Sequence, residues 1–400
     1  MIILFDVDGV LVENRAYRAG IQQTTRYFSQ RLGLAVEPPT EADIDVFEAE
    51  SITVEWDSCA IAASALIIER LRAEASSARG RARLAGLPGD VWQFLAALPA
   101  RPIKQVEVDF PALARRAGAA ARASGLLPAR AALGLYLDEL AEDDRLPAAP
   151  ARPLLEHLLG QVYDIDQSPA MQVFQNYALG DAQYAQYYGL PPLVSGGALL
   201  EELDRSNLRP DVCSALLERC EQGAWHPVVF TARPSRTPLE AGGLSRGYTP
   251  ESEIGARLAG LGSVPVMGFG KLDWLARRVG RAGSELVKPS PVHAIAAIGA
   301  ARSGLEVESI KAALAVERGD QLRYPLTACA GQAVHVFEDS PSSLNGVAAA
   351  VEHLNRLGLG LSLTRHGVAP SGSPKRATLA AAADCIHEDI NEGLQDLLRL

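Results

Sequence analysis

The chain has 400 residues, a formal net charge of −10, and hydrophobic residues at 48% of its positions. This length predicts two or three domains with a sizeable core, and the composition is typical of a globular protein. The acidic balance argues against nucleic acid or an anionic membrane as a partner, and no apolar run reaches the ~18 residues of a membrane span.

The first predicted element is the strand MIILF, which runs directly into the sequence D-V-D-G. A short run that is apolar at every position suits a strand covered on both faces, as in a parallel sheet. Asp6 and Asp8 then lie at its carboxyl end. A calcium loop beginning at Asp6 would need Gly at its sixth position and Glu at its twelfth, where the chain has Leu11 and Tyr17, so that alternative fails.

Residues 15–204 are rich in Ala, Leu, Arg and Glu with helical spacing, and Pro and Gly separate the segments. This pattern predicts an all-α domain inserted after the first strand. One long helix is expected from Asp43 to about Ala75. On that helix, Glu48, Ser51 and Glu55 would share a face, which fits either a solvated surface or contacts with a polar substrate.

From about residue 205, short apolar runs alternate with helical patterns; the runs are HPVVF, PVMGF, AVHVF and GLSLT. This alternation predicts βαβ units and a parallel sheet, which the first strand would join. The expected fold class is therefore α/β. It has a doubly wound, Rossmann-like parallel-sheet core (residues 1–14 and 205–400) and a large all-α domain (15–204).

Polar residues stand at the carboxyl ends of these strands or ahead of the next one: Asp6, Asp8, Thr231, Lys288, Glu338 and Asp339. Ligands bind at that edge of open parallel sheets. Carboxylates gathered there repel each other by about 4 kcal/mol at 4 Å and an effective dielectric of 20, so they need a cation or else hold protons instead. An all-oxygen donor set suits Mg²⁺. Each residue alone also fits a strand-end turn or a surface charge, and only their combination indicates a site.

The chain has five cysteines, an odd number, and no two of them form a C-x-x-C pair. We therefore expect no disulfide framework and no structural zinc site. This usage favours a reducing, cytoplasmic location. No basic stretch precedes the first apolar segment, so we expect no signal peptide. Only five residues are lysine, against 33 arginines. A lysine at position 288 therefore suggests that a compact point charge is needed there.

Four segments in this order, FDVDGVL, VVFTARP, VKPSP and VFEDSPSS, resemble the motifs of haloacid dehalogenase (HAD) superfamily phosphatases. The resemblance implies Asp6 as nucleophile and Asp8 as general acid/base. It assigns binding of the phosphoryl oxygens to Thr231 and Ala232, and it makes Lys288 the residue that holds nucleophile and phosphate together. It also implies a Mg²⁺ site formed by Asp6, the backbone carbonyl of Asp8, and Asp339, with Glu338 assisting.

The same resemblance makes residues 15–204 a helical cap. It implies a Mg²⁺-dependent phosphomonoester hydrolase that acts on a small phosphorylated metabolite through a phosphoaspartyl intermediate. A dehalogenase would need neither the acid at position 8 nor the metal. A phosphonate-cleaving relative would have an altered first motif and a reactive cap lysine, and the single lysine of this insertion is Lys104. A phosphomutase with the same machinery and a non-catalytic binding protein on this scaffold remain as alternatives.

Overall fold

The computed structural model describes residues 1–84, 86, 88–98, 105–142, 148–373 and 375–399. The chain divides into two compact units, one formed by Met1–Arg15 with Leu203–Leu400 and the other by Ala16–Glu202. Lys104 lies outside the described residues. Among those that are described, no helix is both long enough and apolar enough to cross a membrane.

The unit Ala16–Glu202 consists mainly of helices. They are α1 (Ala16–Leu32), α2 (Glu41–Ala49), α3 (Glu55–Ala75), α4 (Ala78–Leu84), α5 (Val91–Ala97), α6 (Phe110–Ser124), α7 (Pro128–Glu142), α8 (Ala148–Leu159), α9 (Pro169–Tyr188) and α10 (Leu199–Glu202). The predicted helical character of this region is thus present. Its helix α2 begins at a capping box, in which Thr40 and Asp43 each accept a hydrogen bond from the other's backbone.

The single helix expected from Asp43 to about Ala75 is wrong. Helix α2 ends at Ala49 and α3 begins at Glu55, and Ser51 between them has φ 67°. A residue in the left-handed region cannot continue a right-handed helix, and the β-branched residues that follow favour extended backbone. Glu48 and Glu55 therefore belong to different helices, and the predicted shared face with Ser51 does not exist.

The other unit contains the strands β1 (Ile2–Phe5), β2 (Val12–Glu13), β3 (Arg205–Ser206), β4 (His226–Phe230), β5 (Val266–Met267), β6 (Ala333–Glu338), β7 (Ser362–Val368) and β8 (Cys385–His387). Six of them form one parallel sheet in the order β5-β4-β1-β6-β7-β8. Strands β2 and β3 form a short antiparallel pair. The predicted strands are present as β1, β4, β5, β6 and β7, whereas neither the edge strand β8 nor the short pair β2 and β3 was predicted.

Helices follow or separate these strands: α11 (Pro210–Glu221), α12 (Glu251–Leu258), α13 (Phe269–Arg278), α14 (Pro291–Ser303), α15 (Glu306–Glu317), α16 (Pro341–Arg356), α17 (Lys375–Leu379) and α18 (Ile390–Leu398). Ile2 and Leu4 belong to a hydrophobic cluster with residues of α14 and α16, whereas Ile3 and Phe5 belong to a second cluster with residues of α11 and α18. Because alternate residues of a strand point to opposite faces, both faces of the sheet are covered. The predicted fold class, a doubly wound α/β core with a large helical insertion, is confirmed.

Strand β1 lies at the centre of the sheet, between β4 and β6. Strands β4 and β5 lie on one side of β1, and the strands that come later in the chain, β6, β7 and β8, lie on the other side. This reversal of strand order is a topological switch point, where a crevice opens at the carboxyl ends of the strands. Residues that follow β1, β4 and β6 therefore meet at one edge of the sheet.

Candidate active site

Asp6 is the first residue after β1 and is only 5% exposed. Its backbone N–H donates to the carbonyl of Phe337 on β6 at 3.0 Å, so the chain remains tied to the neighbouring strand where the side chain enters the crevice. The N–H of Val7 donates to Asp6 Oδ1 at 2.8 Å. The sheet and this local hydrogen bond together fix the orientation of the carboxylate.

Lys288 lies between two carboxylates. Its Nζ atom is 2.7 Å from Asp6 Oδ1 and 2.8 Å from Glu338 Oε2, and its side chain is 9% exposed. The backbone N–H of Lys288 donates to Nδ1 of His293 at 3.0 Å. Nε2 of the same ring is 2.9 Å from the carbonyl of Met267, so this nitrogen carries the ring proton. His293 thus anchors the segment that delivers the lysine.

The charges of this cluster depend on each other. Burial raises the pKa of Asp6, but the charge of Lys288 and the hydrogen bonds it receives outweigh that effect and lower the pKa overall. Burial and then the charge of Asp6 raise the pKa of Glu338 well above its usual range. Burial disfavours the charge on Lys288, yet the two carboxyl groups raise its pKa. The arrangement therefore keeps Asp6 ionised and Lys288 protonated.

Asp339 follows β6 and completes a group of three carboxyl residues. One oxygen from each of Asp6, Glu338 and Asp339 lies within 4.8 Å of the others. Gly9 approaches this group so closely that a Cβ at that position would lie 2.8 Å from Asp339 Oδ2. Burial raises the pKa of Asp339, while the Lys375 ammonium, 2.7 Å from Oδ2, acts in the opposite direction. Carboxyl groups at this spacing, two of them buried and Asp339 half-buried, fit a small, hard divalent cation such as Mg²⁺.

The Asp8 side chain takes part in a separate ion pair. Both of its oxygens accept from Arg233, with Nε at 3.0 and 2.9 Å and Nη2 at 2.6 Å. Arg233 Nη2 also reaches Asp204 Oδ2 at 3.1 Å, and the side chains of Arg233 and Asp204 are 1% and 0% exposed. The site thus contains an acid–arginine–acid cluster beside the first one, in which Arg233 and Asp204 are buried and the Asp8 side chain is one third exposed.

Thr231 and Ala232 follow β4, the neighbour of β1 on the side opposite β6. Thr231 is buried and its Oγ1 accepts from the backbone N–H of Arg233 at 3.3 Å, while Ala232 is exposed. The structure therefore joins Asp6, Lys288 and Glu338 by direct contacts and places the Asp339 carboxylate within 4.8 Å of the two acids. It places Thr231 and Ala232 at the end of the adjacent strand and directs the Asp8 side chain to Arg233.

Sequence reasoning missed several residues of this region: His293, Arg233, Asp204 and Lys375. Arg233 lies in the segment VVFTARP, and Lys375 is one of only five lysines, so each carried a weak signal. Asp204 and His293 carried none. Their roles depend on contacts between residues far apart in the chain, which local patterns do not report.

A scan against protein-family models and a search of curated proteins gave no match. Among solved structures, the chain is similar to an X-ray structure of Northeast Structural Genomics Consortium target ZR25, with a TM-score of 0.61 and 15% identity over 99% of this chain and 98% of that one. Two others are a putative beta-phosphoglucomutase from Thermotoga maritima (TM-score 0.36) and the phosphatase Tt82 from Thermococcus thioreducens (TM-score 0.41). Each is 14% identical and covers 100% of this chain and 99% of its own, but these TM-scores are too low to support a structural argument. The chain therefore shares its fold with target ZR25, and this is the Rossmann-like α/β fold with a helical insertion that the HAD resemblance implied.

Proposed function

We propose that this chain is a HAD-superfamily phosphoryl-transfer enzyme that hydrolyses a phosphomonoester with Asp6 as the nucleophile. The observation that carries the proposal is the contact of 2.7 Å between Lys288 Nζ and Asp6 Oδ1 in a buried crevice at the sheet switch point. A carboxylate nucleophile must be deprotonated, and Lys288 lowers the pKa of Asp6. The same ammonium group also suits the negative charge of a phosphoryl group.

The proposed reaction has two steps. An oxygen of Asp6 forms a bond to phosphorus while the bond from phosphorus to the leaving oxygen breaks, and Asp8 gives its proton to that oxygen. Asp8 then removes a proton from water, the water oxygen bonds to phosphorus, and the bond from Asp6 to phosphorus breaks. Both oxygens of Asp8 accept from Arg233 in this structure. One of them must therefore be released and take up a proton from solvent before it can donate to the leaving oxygen, while Arg233 keeps the other and orients the acid.

The donor set fits Mg²⁺, and we assign its binding to Asp6, Asp339 and the backbone carbonyl of Asp8. When bound, the ion would neutralise negative charge on the phosphoryl oxygens. Glu338 differs from the other two carboxyl residues because both of its oxygens already have protein partners, Lys288 Nζ at 2.8 Å and the backbone N–H of Asp339 at 3.2 Å. Its proposed role is to position Lys288 rather than to bind the metal directly.

We assign binding of the phosphoryl oxygens to Thr231, Ala232 and Lys288. By analogy with the superfamily, the helical unit Ala16–Glu202 would act as the cap that selects the substrate. A small phosphorylated metabolite is the proposed substrate class.

The test is turnover of p-nitrophenyl phosphate and of a panel of phosphorylated metabolites, with and without Mg²⁺. We expect activity that EDTA removes and Mg²⁺ restores, and we expect Asp6→Asn to abolish it. The matched control is Asp320→Asn, an exposed aspartate paired with Arg318, which should leave turnover unchanged. Substantial activity in Asp6→Asn would refute the nucleophile assignment, and isomerisation of a hexose phosphate in place of phosphate release would identify a mutase.

A further inference from the structure

Three histidines on neighbouring strands form a continuous chain of ring contacts. His335 on β6, His366 on β7 and His387 on β8 are 8%, 4% and 5% exposed. Nδ1 of His335 is 3.0 Å from Nε2 of His366, and Nδ1 of His366 is 2.9 Å from Nε2 of His387. Imidazoles are buried less often than apolar side chains, so three buried rings in contact across a sheet indicate more than apolar packing.

A thiol joins this chain at the edge of the sheet. Cys385 and His387 are two residues apart on β8, so their side chains share one face of the strand. The backbone register pairs Cys385 directly with His366 on β7. One donor atom from each of His366, Cys385 and His387 lies within 4.8 Å of the others. Cys385 is exposed, so this group has a path to solvent.

We propose that His366, Cys385 and His387 form a binding site for a thiophilic divalent metal ion, with Zn²⁺ as the best match. Two imidazole nitrogens and one thiolate are a typical zinc donor set, and a fourth position would remain for water. Ligands of a tetrahedral zinc lie about 3.3 Å apart when the Zn–N distance is ~2.05 Å. The facing nitrogens of His366 and His387 are 2.9 Å apart, so a small separation of the rings would admit the ion.

The protonation states fit this proposal. A histidine binds metal as the neutral ring, and burial lowers the pKa of His366 to about 3. On metal binding, His366 would hold its proton on Nε2 and donate it to Nδ1 of His335. His387 would hold its proton on Nδ1, and the thiol proton of Cys385 would pass to solvent. His335 would then orient a metal ligand from outside the coordination sphere.

The surrounding residues hold the rings in place. The ring of Phe337 stacks on His366 with centroids 4.3 Å apart and an angle of 11° between the planes. Gly393 of α18 lies against His387, and a Cβ there would be 2.9 Å from Cδ2 of that ring. Strand β8 is the three-residue edge of the sheet, so an ion shared between β7 and β8 would fix this edge. This role is independent of the proposed phosphoryl transfer.

The alternative is a purely structural histidine chain, which would not need Cys385. The test is a titration of the full chain with Co²⁺, a spectroscopic substitute for Zn²⁺, with thiols reduced and Mg²⁺ in excess to occupy the carboxylate site. We expect one equivalent to produce a thiolate-to-cobalt charge-transfer absorption. Cys385→Ser should lose it, whereas Cys220→Ser, at a half-buried cysteine of α11, should retain it.

A second readout is the midpoint of thermal unfolding. We expect Zn²⁺ to raise the midpoint by several degrees in the unmodified chain and in Cys220→Ser but not in Cys385→Ser. Because Cys385 is exposed, its replacement should leave the metal-free midpoint unchanged. Absence of the absorption in the unmodified chain, or equal absorption in Cys385→Ser, would overturn the proposal.

Discussion

Arg233 holds the carboxylate of Asp8 with three N–O distances of 2.6, 2.9 and 3.0 Å, although the two residues stand more than two hundred positions apart. The guanidinium also contacts Asp204, and both of these side chains are almost fully buried. Planar pairing of this kind fixes the orientation of a carboxylate as well as its charge. The direction of the proposed general acid/base is therefore set by a residue to which the HAD resemblance gave no role.

The first prediction concerns Arg233→Met. Loss of the buried guanidinium removes the positive charge that faces Asp8 and Asp204, so the free energy of unfolding should fall by roughly 3–5 kcal/mol. Turnover of an alkyl phosphate should fall more than turnover of p-nitrophenyl phosphate, because a poor leaving group depends more on protonation by Asp8. Denaturant unfolding and kcat for both substrates measure these effects. Arg236→Met, at the exposed neighbouring arginine, is the control, and equal losses on both substrates would contradict a positioning role.

The second prediction compares two buried lysines. Lys271 Nζ lies 2.9 Å from Glu306 and Lys288 Nζ lies 2.7 Å from Asp6, and both side chains are largely buried. Replacing either by Met should lower the free energy of unfolding by roughly 3–5 kcal/mol, because each leaves an unpaired buried acid. Only Lys288→Met should also reduce kcat per folded molecule, by about 100-fold or more. A comparable kcat loss in Lys271→Met would mean that stability, not site chemistry, explains the effect.

The third prediction concerns the close approach of Gly9 to Asp339. Gly9 has φ 73° and Gly304 has φ 69°, but a Cβ on Gly304 would meet nothing within 4 Å. Substitution by Ala should cost about 1–2 kcal/mol of folding stability at either position, because both need left-handed backbone. Only Gly9→Ala should raise the Mg²⁺ concentration for half-maximal activity, since its Cβ would displace the Asp339 carboxylate. An unchanged Mg²⁺ dependence would argue against Asp339 as a ligand.

The fourth prediction concerns Lys375, whose Nζ is 2.7 Å from Asp339 Oδ2 and whose side chain is 57% exposed. The ammonium group of Lys375 would compete with a metal ion for the negative charge of the Asp339 carboxylate. Lys375→Ala should therefore lower the Mg²⁺ concentration for half-maximal activity, by up to about fivefold, given the ~1 kcal/mol of an exposed pair. Lys311→Ala, at a lysine paired with Glu308 on the surface, is the control. A higher Mg²⁺ requirement in Lys375→Ala would contradict competition.

The fifth prediction concerns acid stability. Burial lowers the pKa of His293 to about 3 from the ~6.5 of an unfolded histidine. Between these values the unfolded chain binds the additional proton, so the free energy of unfolding falls as pH falls from about 6.5 towards 3. This residue contributes at most about 1.4 kcal/mol per pH unit. His293→Asn should make the pH dependence shallower across this window and leave it unchanged above pH 7, and unfolding curves at several pH values measure both.

Much of the core fold could be predicted because its signals are local. The apolar run Ile2–Phe5 and the later apolar runs form neighbouring parallel strands. The alternation of strands with helices implied that helices cover both faces of the sheet. Strand β8 was missed because its three residues, Cys385–His387, are too few to show the pattern of a strand. The break at Ser51 was missed because a positive φ at a serine leaves no mark in the amino-acid sequence.

The sequence by itself determined the class of fold, the order of the motifs, and the polar residues that end each central strand, because these follow from periodicity and from the chemistry of single positions. Only the tertiary structure decided the partners: Lys288 with Asp6 and Glu338, Arg233 with Asp8 and Asp204, Lys375 with Asp339, and the three histidines with each other. These pairs depend on strand order and on the direction of each side chain in the folded sheet. Residues far apart in the chain become neighbours only when β4 and β6 pair with β1, and no local sequence pattern specifies those pairings.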